Sequence, residues 1–515
     1  MQKSFSKNYL KIYFYQILSI VLGFASLFVV VPFLSSDKAT YGIYTVCISI
    51  SIFLSYADLG FLGAGMKYAA ESFSRGDIDE EIEVVGFSHF VLLVFLILLS
   101  SVFLYLSFNP QLLIKDIKIE SQISIARNLL LILALFSPTI ILQRMMQMIF
   151  GIRLQDFILQ KINIVGNILK IISVFYFFGL EQYDIVGYFL FVQIVNLACS
   201  LFAIFSAHKN FGYDFKKLIR KFKFNNVMFL KTKHLAFSSL FVTFSWILYY
   251  ELDSFAIGKL LGAKEVAIYA IGLTILSFFR SLLGVFFSPF SARFNHFIGS
   301  EKTNELKYFY LHVISISFPI VVFPIIAIII FARPFVISWV GLEYVESIKI
   351  VQLLIACNIL AFLSYPAGML MIANERLKEM YIVSALMPII YWVGIYFTLD
   401  FFGVKSFAFF KFLAFFFSGL VYLWYSISFL KISLINFFVK QIIPFIPSIL
   451  FLCIALFIFD DYYVTDKNKL NMMLNCGIIA TVLLISFGIS ILTVKTLRDY
   501  FTKTLKMLKP IKNEI

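Results

Sequence analysis

Fourteen apolar runs, each about the length of a bilayer span, follow one another along this chain: 12–34, 42–65, 85–108, 128–149, 162–180, 185–207, 235–261, 266–288, 309–331, 349–372, 381–399, 406–430, 442–459 and 472–494. A span takes about 20 mostly apolar residues, so fourteen take roughly 280. The chain has 515 residues, of which 61% are hydrophobic and 14% charged, which leaves enough for short loops and ends. Hydrocarbon offers the backbone no hydrogen-bond partners, so runs of this length must be helices. The expectation is an all-α, polytopic integral membrane protein. Disorder, collagen, a secreted disulfide scaffold and a soluble enzyme with a membrane tail are excluded, because the apolar runs extend from end to end.

The formal net charge of +14 would suggest nucleic acid in a soluble protein. Here the basic residues first sort by side. With the N-terminus inside, the segments on its side hold 28 of the 43 Lys and Arg, which places both termini in the cytoplasm by the positive-inside rule. Most of the excess lies in Lys209 to Lys233 and in the tail after Lys495, read as topology signals and as contacts to membrane lipids; no nucleic-acid partner is expected. The Lys209 to Lys233 loop should then be cytoplasmic and the Asp460 to Lys469 loop outside. Lys3, Lys7 and Lys11 precede the first run as in a signal peptide, but the run is too long and lacks a small-residue cleavage site, so the expectation is an uncleaved first helix.

Cys47, Cys199, Cys357, Cys453 and Cys476 stand alone in apolar runs and read as packing residues, and the five histidines are scattered, so no metal is expected. Gly258-Lys259 is followed by Leu260 rather than Ser or Thr, so no phosphate-binding loop, ATP hydrolysis or cofactor is expected. The longest loop is too short for a folded domain.

A weak repeat sets residues near 33–60 against those near 258–284: Tyr44 falls on Tyr269, and Leu59-Gly60 on Leu283-Gly284. Six helices separate the copies, so both enter the membrane in the same direction, as two parallel six-helix lobes with a cavity between them. The expected divisions are an N-terminal lobe over 1–207, a basic cytoplasmic linker over 208–234, a C-terminal lobe over 235–430, and two additional helices with a basic tail over 431–515.

The stretch SYADLGFLGAGMKYAAE at 55–71 and the stretch YELDSFAIGKLLGAKEVAIYAIGLTI at 250–275 resemble bacterial polysaccharide flippases of the Wzx (O-antigen) type, within the multidrug/oligosaccharidyl-lipid/polysaccharide exporter superfamily. The likeness lies in the end of helix two and in Asp253, Gly258 and Tyr269 of helix seven. Lys67 stands where that pattern has arginine, which keeps the charge and loses bidentate contact. The resemblance implies a transporter in the bacterial inner membrane rather than an enzyme. It would move a polyprenyl-pyrophosphate-linked oligosaccharide from the cytoplasmic to the outer leaflet by alternating access, alongside other polysaccharide-assembly proteins.

Such cargo needs a polar, cationic cavity, and cations inside spans are costly unless they face water or a partner. Gln160, Asn163, Asn167 and Lys170 recur at spacings of three and four on helix five, which makes one polar stripe: either cavity lining or an interhelical seam. Arg280, near Ser277, Ser281 and Gly284, is too deep to snorkel. Arg144, with Gln143 and Gln147, either lines the cavity or reaches headgroups. Lys259 and Lys411 lie near outer ends and should snorkel. Gln193, Asn196 and Ser200, and Asn358 with Tyr365, add weaker polar stripes. Three carboxylates are candidates for ion coupling. On a regular helix Asp253 shares a face with Ser239, Thr243, Trp246 and Tyr250, whereas Glu251 points away, toward Ile247, Leu248 and Phe255. Asp58 either couples or ties its helix end to a base or a helix N-terminus. A cation-coupled small-molecule antiporter and a membrane-embedded glycan polymerase or transferase are the competing readings. The antiporter should rely more on carboxylates, and the enzyme needs larger outer loops.

Overall fold

The structure, a computed structural model, describes residues 2–115, 117–179, 182–374, 377–458 and 468–508, and within these the side chains of 2–13, 17, 20, 24, 238, 239, 241, 242, 292, 377, 469, 500 and 503–508 are excepted. Most of the Asp460 to Lys469 loop, and the side chain of Ser239, therefore lie outside the described residues. Among them the chain is helical and has no strand.

The first half contains α1 (Gln2–Leu34), α2 (Lys38–Ser49), α3 (Ile52–Ser55), α4 (Phe61–Ser74), α5 (Ile78–Phe108), α6 (Glu120–Phe136), α7 (Ile140–Ile152), α8 (Asp156–Phe177), α9 (Ile185–Phe211), α10 (Phe215–Lys221), α11 (Asn226–Trp246) and α12 (Asp253–Leu260). The second contains α13 (Ala263–Gly299), α14 (Thr303–Val340), α15 (Ser347–Ala356), α16 (Ala361–Ala373), α17 (Leu377–Phe402), α18 (Val404–Phe429), α19 (Leu434–Gln441), α20 (Ile446–Ile458), α21 (Lys469–Thr493) and α22 (Lys495–Leu508).

Short polar residues set the starts of these helices. The side chains of Asp37, Asp77, Asp184, Asp214, Asn225 and Asn468 each accept a backbone N–H in the first turn of α2, α5, α9, α10, α11 and α21. These caps satisfy donors that a helix start leaves open. Gly212, with φ 61°, ends α9 in the left-handed region that only glycine enters freely.

Among the described residues, twelve helical segments are long and apolar enough to cross a membrane, and the pair α15 and α16, bent by 41°, makes a thirteenth if it is one span. The chain is a multi-pass membrane protein. The remaining apolar run, the seventh in order, is helical but interrupted: α11 passes into a π-turn over Ile247–Glu251 before α12 begins. The second run also divides, into α2 and α3 followed by the separate helix α4.

Two compact units are formed, Met1–Ala270 and Ile271–Ile515. In the first, α1 packs on α8, α4 on α5, α5 on α6 and α8 on α9. Its core gathers Phe61, Phe87, Met146 and Phe150. Gly42 is used for close approach: a Cβ there would meet the Ala263 carbonyl oxygen at 1.8 Å. In the second unit, α14 packs against α15, α16, α20 and α21, and α17 against α18. Phe318 and Phe445 stack at 4.5 Å in its core. Pro319, Pro324 and Pro334 all lie inside α14 without ending it.

Candidate functional site

The polar stripe on α8 faces inward. Asn163, Asn167 and Lys170 line a cavity of about 230 Å³ in the first unit, together with Ser19 of α1, Gln143 and Gln147 of α7, and Asn196 and Ser200 of α9. Gln160, the first member of the stripe, is not among the lining residues. The Lys170 ammonium donates to the Asn196 side-chain oxygen at 2.7 Å. A second cavity of about 440 Å³ shares Gln143, Gln147, Asn196 and Ser200 with the first, and adds Arg144, Gln193, Thr139, Ser51 and Ser55. Arg144 reaches Gln147 one turn along, at 3.4 Å. Lys170 and Arg144 thus stand at two adjoining cavities with a common amide-lined wall. Among the described residues, neither lining contains a carboxylate.

This arrangement suits the recognition of an anion flanked by hydroxyl groups. Lysine and arginine supply charge-assisted donors, and the amides of Asn163, Asn167, Asn196, Gln143, Gln147 and Gln193 each offer both a donor and an acceptor. Cys199, which reads from sequence as a packing residue, also lines the smaller cavity. Ser19, Thr139, Ser51, Ser55 and Tyr44 were missed as well, because an isolated polar or aromatic residue in an apolar run carries no periodic signal.

Arg280 belongs to the second unit, on α13, and hydrogen-bonds the Tyr365 hydroxyl of α16. Tyr365 in turn stacks on Phe287 at 4.9 Å. Asn358, its expected companion on one helix, is buried in the break between α15 and α16. Lys411 departs from the snorkelling expected of it. Its side chain is completely buried and lies over the Tyr391 ring at 5.7 Å, because α18 turns that face toward α17 rather than toward the helix end. Lys259 is exposed, as a snorkelling residue would be.

The three carboxylates do not meet the two cavities. Asp58 accepts the backbone N–H of Leu62 at 3.1 Å, at the start of α4. Asp253 is fully buried at the start of α12 and accepts a hydrogen bond from the Tyr269 hydroxyl. Glu251 has polar partners that the regular-helix reading did not give it. The π-turn inserts an extra residue into the helical register, so Glu251 accepts from the indole N–H of Trp246, five residues back, at 3.2 Å, and from the Tyr56 hydroxyl at 3.4 Å. Trp246 stacks on Tyr250 at 4.5 Å beside it.

The strongest electrostatic feature was not legible at all. Glu81 is fully buried and receives two hydrogen bonds from Arg153, at 2.8 and 3.0 Å. The rings of Phe73, Phe211 and Tyr213 lie against the Arg153 guanidinium at 4.7, 5.5 and 5.1 Å. Burial raises the pKa of the Tyr213 phenol, so it stays neutral beside the pair. Around it, Glu80 takes Lys231 and Arg75, each at 2.5 Å, Glu83 takes Lys221 at 3.2 Å, and Asp79 takes Lys217. No group of three or more potential metal ligands occurs among the described residues.

The lipid II flippase MurJ, in an inward closed conformation, superposes on this chain with a TM-score of 0.66 at 17% identity, over 92% of this chain and 98% of that one. An inward-facing multidrug resistance MATE family transporter of the MOP superfamily gives 0.60 at 13% identity, over 79% and 95%. The fold is theirs. A MOP superfamily transporter from Pyrococcus furiosus shares it, at TM-score 0.55 and 13% identity over 83% and 97%. The sequence itself matches no protein-family profile and no curated protein.

Proposed function

We propose that this chain is a flippase. It carries a polyprenyl-pyrophosphate-linked oligosaccharide from the cytoplasmic to the outer leaflet of the bacterial inner membrane for cell-surface polysaccharide synthesis. The observation that carries this reading is the lining of the two adjoining cavities, which among the described residues combines Lys170 and Arg144 with six amides and no carboxylate. A pyrophosphate needs cations, and sugar hydroxyls need groups that both donate and accept. An organic cation needs the reverse polarity, which weighs against a drug antiporter despite the shared fold. Lys170, Arg144, Asn163 and Asn167 then hold the headgroup on the first unit, and Arg280 is the corresponding candidate on the second. Translocation breaks and makes no covalent bond, so no catalytic residue is assigned.

The test is reconstitution with a fluorescent polyprenyl-pyrophosphate glycan and a leaflet-accessibility assay. Protein-dependent appearance of the glycan in the opposite leaflet is expected. Equal rates in protein-free vesicles refute the proposal, and preferential movement of an organic cation would select the antiporter instead.

If a proton gradient drives the cycle, Asp253 is the first candidate for the coupling group, ahead of Glu251 and Asp58. Asp253→Asn should then make transport insensitive to an imposed pH gradient while leaving glycan binding intact. A parental response to the gradient would leave Asp253 as a structural partner of Tyr269.

A further inference from the structure

Residues 209–233, from the last turn of α9 into the first turns of α11, carry eight basic residues, and the structure divides them into two sets. Lys217, Lys221 and Lys231 turn inward and pair with Asp79, Glu83 and Glu80 of α5. Lys209, Lys216, Arg220, Lys223 and Lys233 are exposed, and none has an acidic partner among the described residues. The segment's one acid, Asp214, is engaged in capping α10 through the Lys217 N–H at 2.9 Å. Within α10 the division follows from helical geometry: Lys216 and Arg220, four residues apart, lie opposite the buried Leu218, and Lys223 follows just past the helix end.

Large apolar side chains accompany the free cations. Ile219 is 74% exposed, Phe224 55% and Val227 67%. Exposed apolar anchors amid cations, adjoining the ends of two apolar helices, form the pattern of a surface that lies at the headgroup level of an anionic leaflet. A soluble acidic partner would be met by the charge alone and would leave these apolar groups in water.

We propose that the outer face of residues 209–233 is an anionic-phospholipid site. Lys216, Arg220 and Lys223 bind headgroup phosphates, and Ile219 and Val227 enter the acyl boundary, while the inner face, with Phe224 against Phe87, clasps the segment to α5. This assignment is independent of the cargo proposed above.

The experiment is hydrogen exchange of the full-length protein in nanodiscs of phosphatidylcholine alone and with a third phosphatidylglycerol, combined with native mass spectrometry of retained lipid. Exchange across 215–224 should be roughly fivefold slower in the anionic discs, with phosphatidylglycerol retained preferentially. The variant carrying K216Q, R220Q and K223Q should lose both differences. Changing the inner set instead, with K217Q and K221Q, should speed exchange in both lipids while preserving the lipid preference. Identical exchange and no lipid preference in the parent overturn the proposal, as does a preference that survives in the triple variant.

Discussion

Lys170 holds Asn196 at 2.7 Å inside a wall of amides. If the proposed cargo is right, substituting Lys170→Ala removes one charge-assisted contact to its phosphate, worth about 1.5–3 kcal/mol, and should slow glycan translocation roughly ten- to hundredfold. Lys170→Arg should retain more activity, since phosphate accepts either cation. Initial rates in proteoliposomes decide this, with expression level as the control. Glu81 and Arg153 make a different prediction, about stability. Glu81→Ala leaves a guanidinium buried without its carboxylate and should cost about 3–5 kcal/mol, seen as a lowered thermal midpoint in detergent. The double variant Glu81→Ala with Arg153→Met should recover part of that loss, because no unpaired charge remains. The two residues differ in how visible they are in sequence. Lys170 belongs to a stripe with helical spacing, which a single helix displays. Glu81 looks like one more acid in the first turn of α5, and its partner lies 72 residues away.

At the scale of helices, the positions and lengths of the apolar runs were legible because hydrocarbon demands them, whereas the departures from regular helix were not. Nothing in ILYYE marks the π-turn that turns Glu251 onto Trp246, and the reading of Asp253 and Glu251 on opposite faces assumed a register the chain does not keep. Close packing is likewise hidden until the partner helix is placed. At Gly42 the obstacle to a side chain is the backbone of Ala263, which cannot rotate aside. Gly42→Ala should therefore lower stability by about 1–3 kcal/mol. Gly63, whose added Cβ would meet nothing within 4 Å, is the control. Gly63→Ala in α4 should be neutral or slightly stabilising. Comparable thermal midpoints for the two variants would remove the packing role assigned to Gly42.

For the molecule as a whole, the sidedness argued from basic residues predicts that a cysteine placed at Lys216 reacts with an impermeant maleimide only in inside-out vesicles. Labelling in intact cells would invert the topology. The count of Lys and Arg supplied that sidedness, but it could not say that three of those cations are committed to α5. That commitment has a temporal side. Asp79 and Lys217 are 138 residues apart in the chain, and Glu80 and Lys231 are 151 apart. At about 5–20 residues per second, synthesis leaves roughly 7–30 s between the appearance of these acids and that of their lysines. Until then Glu80 has only Arg75 of its two cationic partners, Glu81 gains Arg153 partway through the interval, and Asp79 and Glu83 have none of theirs. A nascent chain arrested before residue 217 should be the species that membrane quality control recognises as unfinished.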